Sequence, residues 1–313
     1  MLFRSLPARK VAIGQESANL DIGPLAGFRD TPDTTDNAEG FHMTGLEAHY
    51  SVRDVEARIL AALRAAGLNP EQRLSPEALG ALDHFHTGGF RASRVLQELA
   101  HICAEDHVLD IGAELAGAAR MLAASPGCRV DCVELSPDYC AGAVLLNRLT
   151  GLEDRVGVHR CSALELPFPD ASFDAVWMQN VGMNIADKRR LYAEVRRVLK
   201  PEGRFAFQEM TAGDAATSYF PLPWATAPAE NFLISAEELL SVLDESGFVV
   251  DFFEDASDEQ SSGNPVSNAP EVSAQAQLSL SVYVDNLAQK AENATRSLQE
   301  GQIRFVRGVV RAK

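Results

Sequence analysis

Long apolar runs are missing from this sequence: nothing approaches the roughly 20 consecutive apolar residues of a spanning helix, so the expectation is a soluble chain with no membrane partner. Basic residues are scarce as well. Lys and Arg number 28 against 44 Asp and Glu, a formal charge of −16, and no segment gathers the basic ones into a stripe. Such a field repels a phosphate backbone on average, so no nucleic-acid partner is expected and a small-molecule substrate is favoured. Cysteine is limited to Cys103, Cys128, Cys132, Cys140 and Cys161, with no C-x-x-C pair. An odd, unpaired set argues against a disulfide framework or a zinc site; no metal is expected, and reduced thiols point to the cytoplasm. The N-terminus has Arg4, Arg9 and Lys10 before its first acid, Glu16, a transit-peptide-like balance without the apolar core of a secretory signal.

What is present is a full complement of core formers, 46% of 313 residues, enough for one large domain with additions. Residues 1–43 scatter Gly, Pro, Asp and Thr without period and are expected to be a mobile arm. Residues 44–104 read as a helical cap. Ser51 and Asp54 form a capping box ahead of Val55, Ile59, Leu60 and Leu63 at helical spacing, and Ser75-Pro76 opens a second short helix. Next, Phe85-His86-Thr87-Gly88-Gly89 leads into a third helix. Residues 105–313 alternate strand and helix patterns, with a loop and helix insertion at 255–300 before the last strand.

The chain is organised around His107–Arg120, HVLDIGAELAGAAR, where an apolar strand breaks at Gly112 and re-forms as a helix of small residues. Strand-turn-helix units of this kind offer free N–H groups to a nucleotide. A second strand ends at Glu134, about 20 residues past the turn, the spacing at which an acid accepts hydrogen bonds from ribose hydroxyls. The fourth strand delivers Gln179, Asn180, Gly182 and Asn184 to its carboxyl end, the edge where open α/β sheets bind ligands. An amide-rich turn capping the next helix is the plainer reading. Strand five ends at Gln208-Glu209. Tyr219–Ala225 is rich in proline and aromatics, and Trp224 either stacks on substrate in a lid or packs on the sheet edge.

Asp110, Gly112 and Gly117 resemble motif I of class I S-adenosylmethionine-dependent methyltransferases, D-[IL]-G-x-G-x-G-G, and Glu134-Leu-Ser-Pro, LPFPD at 166–170 and the RVLKPEG ending at Gly203 resemble later stretches of that family. Phe85–Gly89 is similar to the segment before the core in a bacterial small-molecule subgroup near sarcosine and dimethylglycine N-methyltransferases. The resemblance implies an α/β fold, a doubly wound, seven-stranded, mostly parallel Rossmann-like sheet with an N-terminal helical extension. It implies S-adenosylmethionine held by Asp110, Gly112, Glu114, Gly117, Glu134, Leu135, Ser162 and Ala163. His86, Gln179 and Asn180 are the catalytic candidates, and Phe85, Asn184, Glu209 and Trp224 the substrate-facing ones. Three residues depart from the pattern. Glu114 and Ala116 stand at glycine positions, and Ser162 replaces the Asp that usually holds the adenine amino group.

Two functions follow. One is methyl transfer to a small amine, acid or natural product by a homodimer or with a related hetero-partner. The other is a methyltransferase-fold chain with altered or lost cofactor binding, acting as a non-methylating enzyme such as a cyclase or as a partner subunit of an active methyltransferase. A nicotinamide-dependent oxidoreductase would want G-x-G-x-x-G, which Gly112-Ala-Glu114 does not supply.

Overall fold

A computed structural model describes residues 53–80, 82–217, 219–262 and 278–313. The proposed arm at 1–43 and Ser51 lie outside them. Helix α1, Val55–Ala65, has Asp54 as its N-cap in the left-handed region, without a cap bond from its side chain. Ser75 does cap the short 3-10 turn Pro76–Leu79, and α2 spans Gly89–Leu99.

The remaining elements alternate as expected of a doubly wound domain. They run β1 His107–Ile111, α3 Gly117–Ala124, β2 Arg129–Glu134, α4 Pro137–Thr150, β3 Val156–Arg160, β4 Phe173–Gln179, α5 Lys188–Val198, β5 Leu199–Ala212, α6 Ala236–Glu245, β6 Phe248–Asp255, α7 Ser257–Ser262, α8 Leu287–Gln299 and β7 Ile303–Ala312. They build a seven-stranded sheet in the order β3-β2-β1-β4-β5-β7-β6. β7 is antiparallel to both neighbours, and the other pairings are parallel. Central strands buried on both faces are largely apolar, and in β1 Val108 joins the core under α3 while Leu109 joins the core under α5; the buried Asp110 is the exception.

Two departures have local causes. Pro201-Glu202-Gly203, expected as a turn between helix and strand, is looped out inside β5, where the pairing with β4 jumps from Leu199 to Arg204 and Glu202 takes φ +60°. α7 falls in a stretch expected to be loop. It has no apolar period of its own, and is held instead by Ser257 Oγ accepting from Phe305 N at 2.9 Å and by Glu259 pairing with Arg307.

The cap and the insertion meet. Val55, Ile59, Leu63, Leu79 and Leu82 share one apolar cluster with Leu145, Leu146 and Leu149 of α4 and with Tyr283 and Val284. This cluster anchors the segment Leu82–Thr87 across the carboxyl ends of the central strands. No described helix is long and apolar enough to cross a membrane.

Candidate functional site

The β1–α3 turn is wound by three left-handed residues, Gly112 (φ +69°), Glu114 (φ +49°) and Ala116 (φ +62°). Only glycine adopts that region freely; each of the other two costs about 1–2 kcal/mol. The turn is tied to β2 through Glu134, whose Oε2 accepts the Glu114 N–H at 3.0 Å and whose Oε1 accepts the Ser136 N–H at 2.8 Å. The expected carboxylate at the tip of β2 is thus fixed by backbone donors beside the turn. Burial raises its pKa, and the N–H groups of Ser136, Glu114 and Leu135 pull the other way.

Asp110 is buried just before the turn. Desolvation, then the charge of Glu134, pushes its pKa up to about 8, and its Oδ2 has no hydrogen-bond partner. Glu114 is driven well above the usual carboxyl range by burial first and by Glu134 and Asp110 next, while the Phe85 N–H pulls it back. The rim of this crease is partly exposed, with Gly112, Ala113 and Glu114 on one side and Leu135, Cys161 and Ala163 on the other. Ser162 is exposed, and its Oγ accepts from Leu164 N at 3.2 Å.

Two glycines of the turn are also required by packing. A Cβ on Gly117 would stand 1.7 Å from the Asp83 carbonyl oxygen, and one on Gly112 would meet Val181 Cγ2 at 2.4 Å. The strap Leu82–Thr87 lies directly on the first turn of α3. It is locked there by Arg120, a fully buried residue that sequence reading passed over. Its Nε donates to Asp83 Oδ2 at 3.1 Å, its other nitrogens reach Asp83 Oδ1 and the Leu115 carbonyl, and Nη1 donates to Asn147 Oδ1 at 2.7 Å. A lone charge inside the small-residue helix was the signal for it. Tyr283 Oη closes the same lock on the Leu82 carbonyl at 3.0 Å, and the Phe85 ring meets Tyr283 edge-on.

At the ends of β4 and β5 the polar groups bind one another. His86 Nδ1 lies 3.0 Å from the Gln208 amide nitrogen, and Nε2 lies 3.0 Å from Ser93 Oγ, which donates to Gln179 Oε1 at 3.0 Å. Trp177 Nε1 donates to the same Gln179 oxygen at 2.8 Å. Burial lowers the His86 pKa to about 4. The imidazole is therefore neutral near pH 7 with both nitrogens engaged. The lone pair with which a general base would take a proton already faces the Gln208 amide nitrogen. Gln179 likewise looks inward. Ser93 and Gln208, which complete the network, carry no motif and were missed.

Asn180 remains at the edge: half-buried at φ +55°, it donates to Thr87 Oγ1 at 3.1 Å and leaves a buried Oδ1 without a partner. Glu209 lies beneath it, Oε1 accepting from Val181 N and Gly182 N at 3.1 and 2.9 Å, and burial raises its pKa to about 7. Asn184 donates to the Val181 carbonyl at 3.3 Å. Lys188, a further residue without a sequence signal, ties this loop down by donating to the carbonyls of Gly182, Ile185 and Phe232 at 2.6, 2.5 and 2.7 Å. Trp224 is packed inside the fold, in one apolar cluster with Met183 of the loop after β4. It is 3% exposed in a cluster with Met210, Leu222 and Phe305, its indole N–H on Asn231, so the packing reading holds.

A sheet of this order with an acid at the tip of β2 and a turn feeding α3 is the Rossmann-like methyltransferase fold. Comparison with known proteins points the same way: residues 109–207 match the family model described as a methyltransferase domain. The glycine/sarcosine/dimethylglycine N-methyltransferase of Actinopolyspora halophila is 38% identical over 128 residues, 40% of this chain and 23% of that protein. The sarcosine/dimethylglycine N-methyltransferase of Aphanothece halophytica is 34% identical over 117 residues, 37% of this chain and 42% of that protein. The chain thus spans less than half the length of these two relatives. Among solved structures, the geranyl diphosphate C-methyltransferase of Streptomyces coelicolor in complex with S-adenosyl-L-homocysteine superposes with a TM-score of 0.59 at 18% identity, covering 84% of this chain and 99% of that one.

The residues of the crease fit the cofactor of this family in two respects. Glu134 offers an oriented carboxylate, and Asp110 offers a buried acceptor that nothing among the described residues satisfies. Both call for a ligand that brings donors or positive charge.

Proposed function

We propose that this chain transfers a methyl group from S-adenosylmethionine to a small-molecule substrate. The observation that carries the reading is Glu134, fixed by two backbone N–H groups beside the β1–α3 turn within the stretch matched by the methyltransferase model. When bound, the cofactor supplies an electrophilic methyl group on a sulfonium.

The chain's own residues do the rest. Glu134 holds the ribose hydroxyls, with Leu135, Ser162 and Ala163 along the adenine side. The strap with Phe85 closes the crease and excludes water. Asn180 presents its unpartnered Oδ1 at the reacting edge, while Glu209 and Asn184 fix the loop that carries it. His86 and Gln179 position the strap and the β4 end. Holding two reactants in line supplies most of such a rate enhancement, so no dedicated base is required. The substrate is a small amine, acid or natural product, the setting the cytoplasm, and the assembly a homodimer or a pair with a related chain.

The test is incubation of the purified chain with methyl-labelled cofactor and a panel of small amines, carboxylic acids and polyketide-like acceptors. Label in a product, lost in Glu134→Ala, is the expected result. A panel without product, from a chain that also fails to bind the cofactor, overturns the reading.

A further inference from the structure

The β1–α3 turn holds more negative charge than the chain can answer. Asp83, Asp110, Glu114 and Glu134 converge there, together with the Tyr283 phenol, and Arg120 is the cation beside them. Its guanidinium is already engaged by Asp83, Asn147 and the Leu115 carbonyl. Among the described residues no basic side chain pairs with Asp110, Glu114 or Glu134. Buried carboxylates that crowd one another without a cation remain partly protonated, because desolvation and like charge both disfavour ionisation. Burial and the neighbouring charges do raise Asp110 and Glu114 in this way.

Three further features single out Glu114. It keeps a side chain where the backbone is left-handed, a strain that persists where the surroundings or a function hold it. Its carboxyl feels the charges of Glu134 and Asp110, and the Phe85 N–H of the strap opposes them. Asp110 itself is 3% exposed and leaves Oδ2 without a partner. That buried acceptor is independent of the acidic cluster as such, and it asks for a donor that the described residues do not supply.

We propose that Glu114 is a ligand-binding residue whose carboxylate, together with the unpartnered Oδ2 of Asp110, takes the α-ammonium group at the amino-acid end of S-adenosylmethionine. The proposal rests on the cofactor assigned above. It turns a residue that looks like an obstruction at a glycine position into the counter-charge of the ligand. Glu134 remains occupied with the turn N–H and the ribose, and Asp83 with Arg120, so neither competes for the ammonium. Taking up the cation ionises the carboxyls around it, and binding releases protons.

Calorimetric titration of the full chain with S-adenosylmethionine, S-adenosylhomocysteine and 5′-methylthioadenosine tests this. The third ligand has the adenosine but no amino-acid end. In Glu114→Gln the first two should bind about 10- to 100-fold more weakly, as for loss of a charged hydrogen bond, and methylthioadenosine should be unchanged within about twofold. Wild type titrated in two buffers of different ionisation enthalpy should release protons with the first two ligands and not with the third. Glu114→Gly removes the carboxylate and the backbone strain together, and keeps the test readable if the Gln variant does not fold. Unchanged or tighter binding of S-adenosylmethionine by these variants overturns the proposal and leaves the methyl-transfer reading standing. Wild type that binds none of the three ligands overturns both.

Discussion

The β1–α3 turn and the edge formed by β4 and β5 answer the same problem, polar groups out of water, in opposite ways. At the turn, carboxyls face carboxyls, and only Asp83 has its cation. At the edge, an imidazole, two amides and a hydroxyl are joined by hydrogen bonds, with the Gln208 Oε1 left over among the described residues, and His86 is held neutral. On the proposed reading, unanswered charge marks the place where a charged ligand is received, whereas a linked network of neutral dipoles holds the shape of the edge. The difference separates binding from positioning on one sheet edge, and it assigns Arg120 to neither: its work is to lock the strap to α3.

The largest effect is therefore expected at that lock. Arg120→Leu leaves Asp83 buried and uncompensated, and should lower unfolding free energy by about 3–5 kcal/mol in a urea titration. A loss below about 1 kcal/mol would show that the strap is not held through this pair.

Smaller and opposite in sign on the pH axis are the effects of the two regions. Asp110 is held at about 8 against an ordinary 3.8. A carboxyl raised in the folded state favours folding where it is protonated, at and below its unfolded value, and that contribution is lost as pH rises towards about 8. Its share of the slope is at most about 1.4 kcal/mol per pH unit. Asp110→Asn should remove this decline when unfolding is followed between pH 5 and 8 (about the window of the raised group); an unaltered profile would break the contrast at the turn.

His86 runs the other way. Its value of about 4 lies below the usual 6.5, so the unfolded chain binds the extra proton and stability falls as pH drops between those values. His86→Gln should shift the acid midpoint to lower pH, with a modest cost at neutral pH from the disturbed Ser93 and Gln208 contacts. An acid midpoint that stays in place removes His86 from the buried network.

Much of the fold was legible because the physics is local. Glu134 sits at the tip of β2, and Ser75 caps the short turn that starts at Pro76. The bulge at Pro201–Gly203 was not legible, because a turn and a looped-out strand residue use the same proline, glycine and left-handed position. α7 was hidden since its support comes from β7 rather than from its own spacing. At the site, the motif residues could be located but not their surroundings. Gly117 was readable as a glycine of the turn, yet the Asp83 carbonyl that it faces lies 34 positions earlier, across the fold. The His86 network likewise joins residues from α2, β4 and β5 that carry no shared pattern.

The central claim is that the crease beside Glu134 receives S-adenosylmethionine. Equilibrium titration of the wild-type chain with that cofactor, in parallel with Glu134→Ala, tests it most directly. The account predicts saturable one-to-one binding in the micromolar range, about −8 kcal/mol, weakened about tenfold or more in the variant. Wild-type protein that shows no binding at millimolar cofactor, or a variant that binds as tightly as wild type, would contradict it.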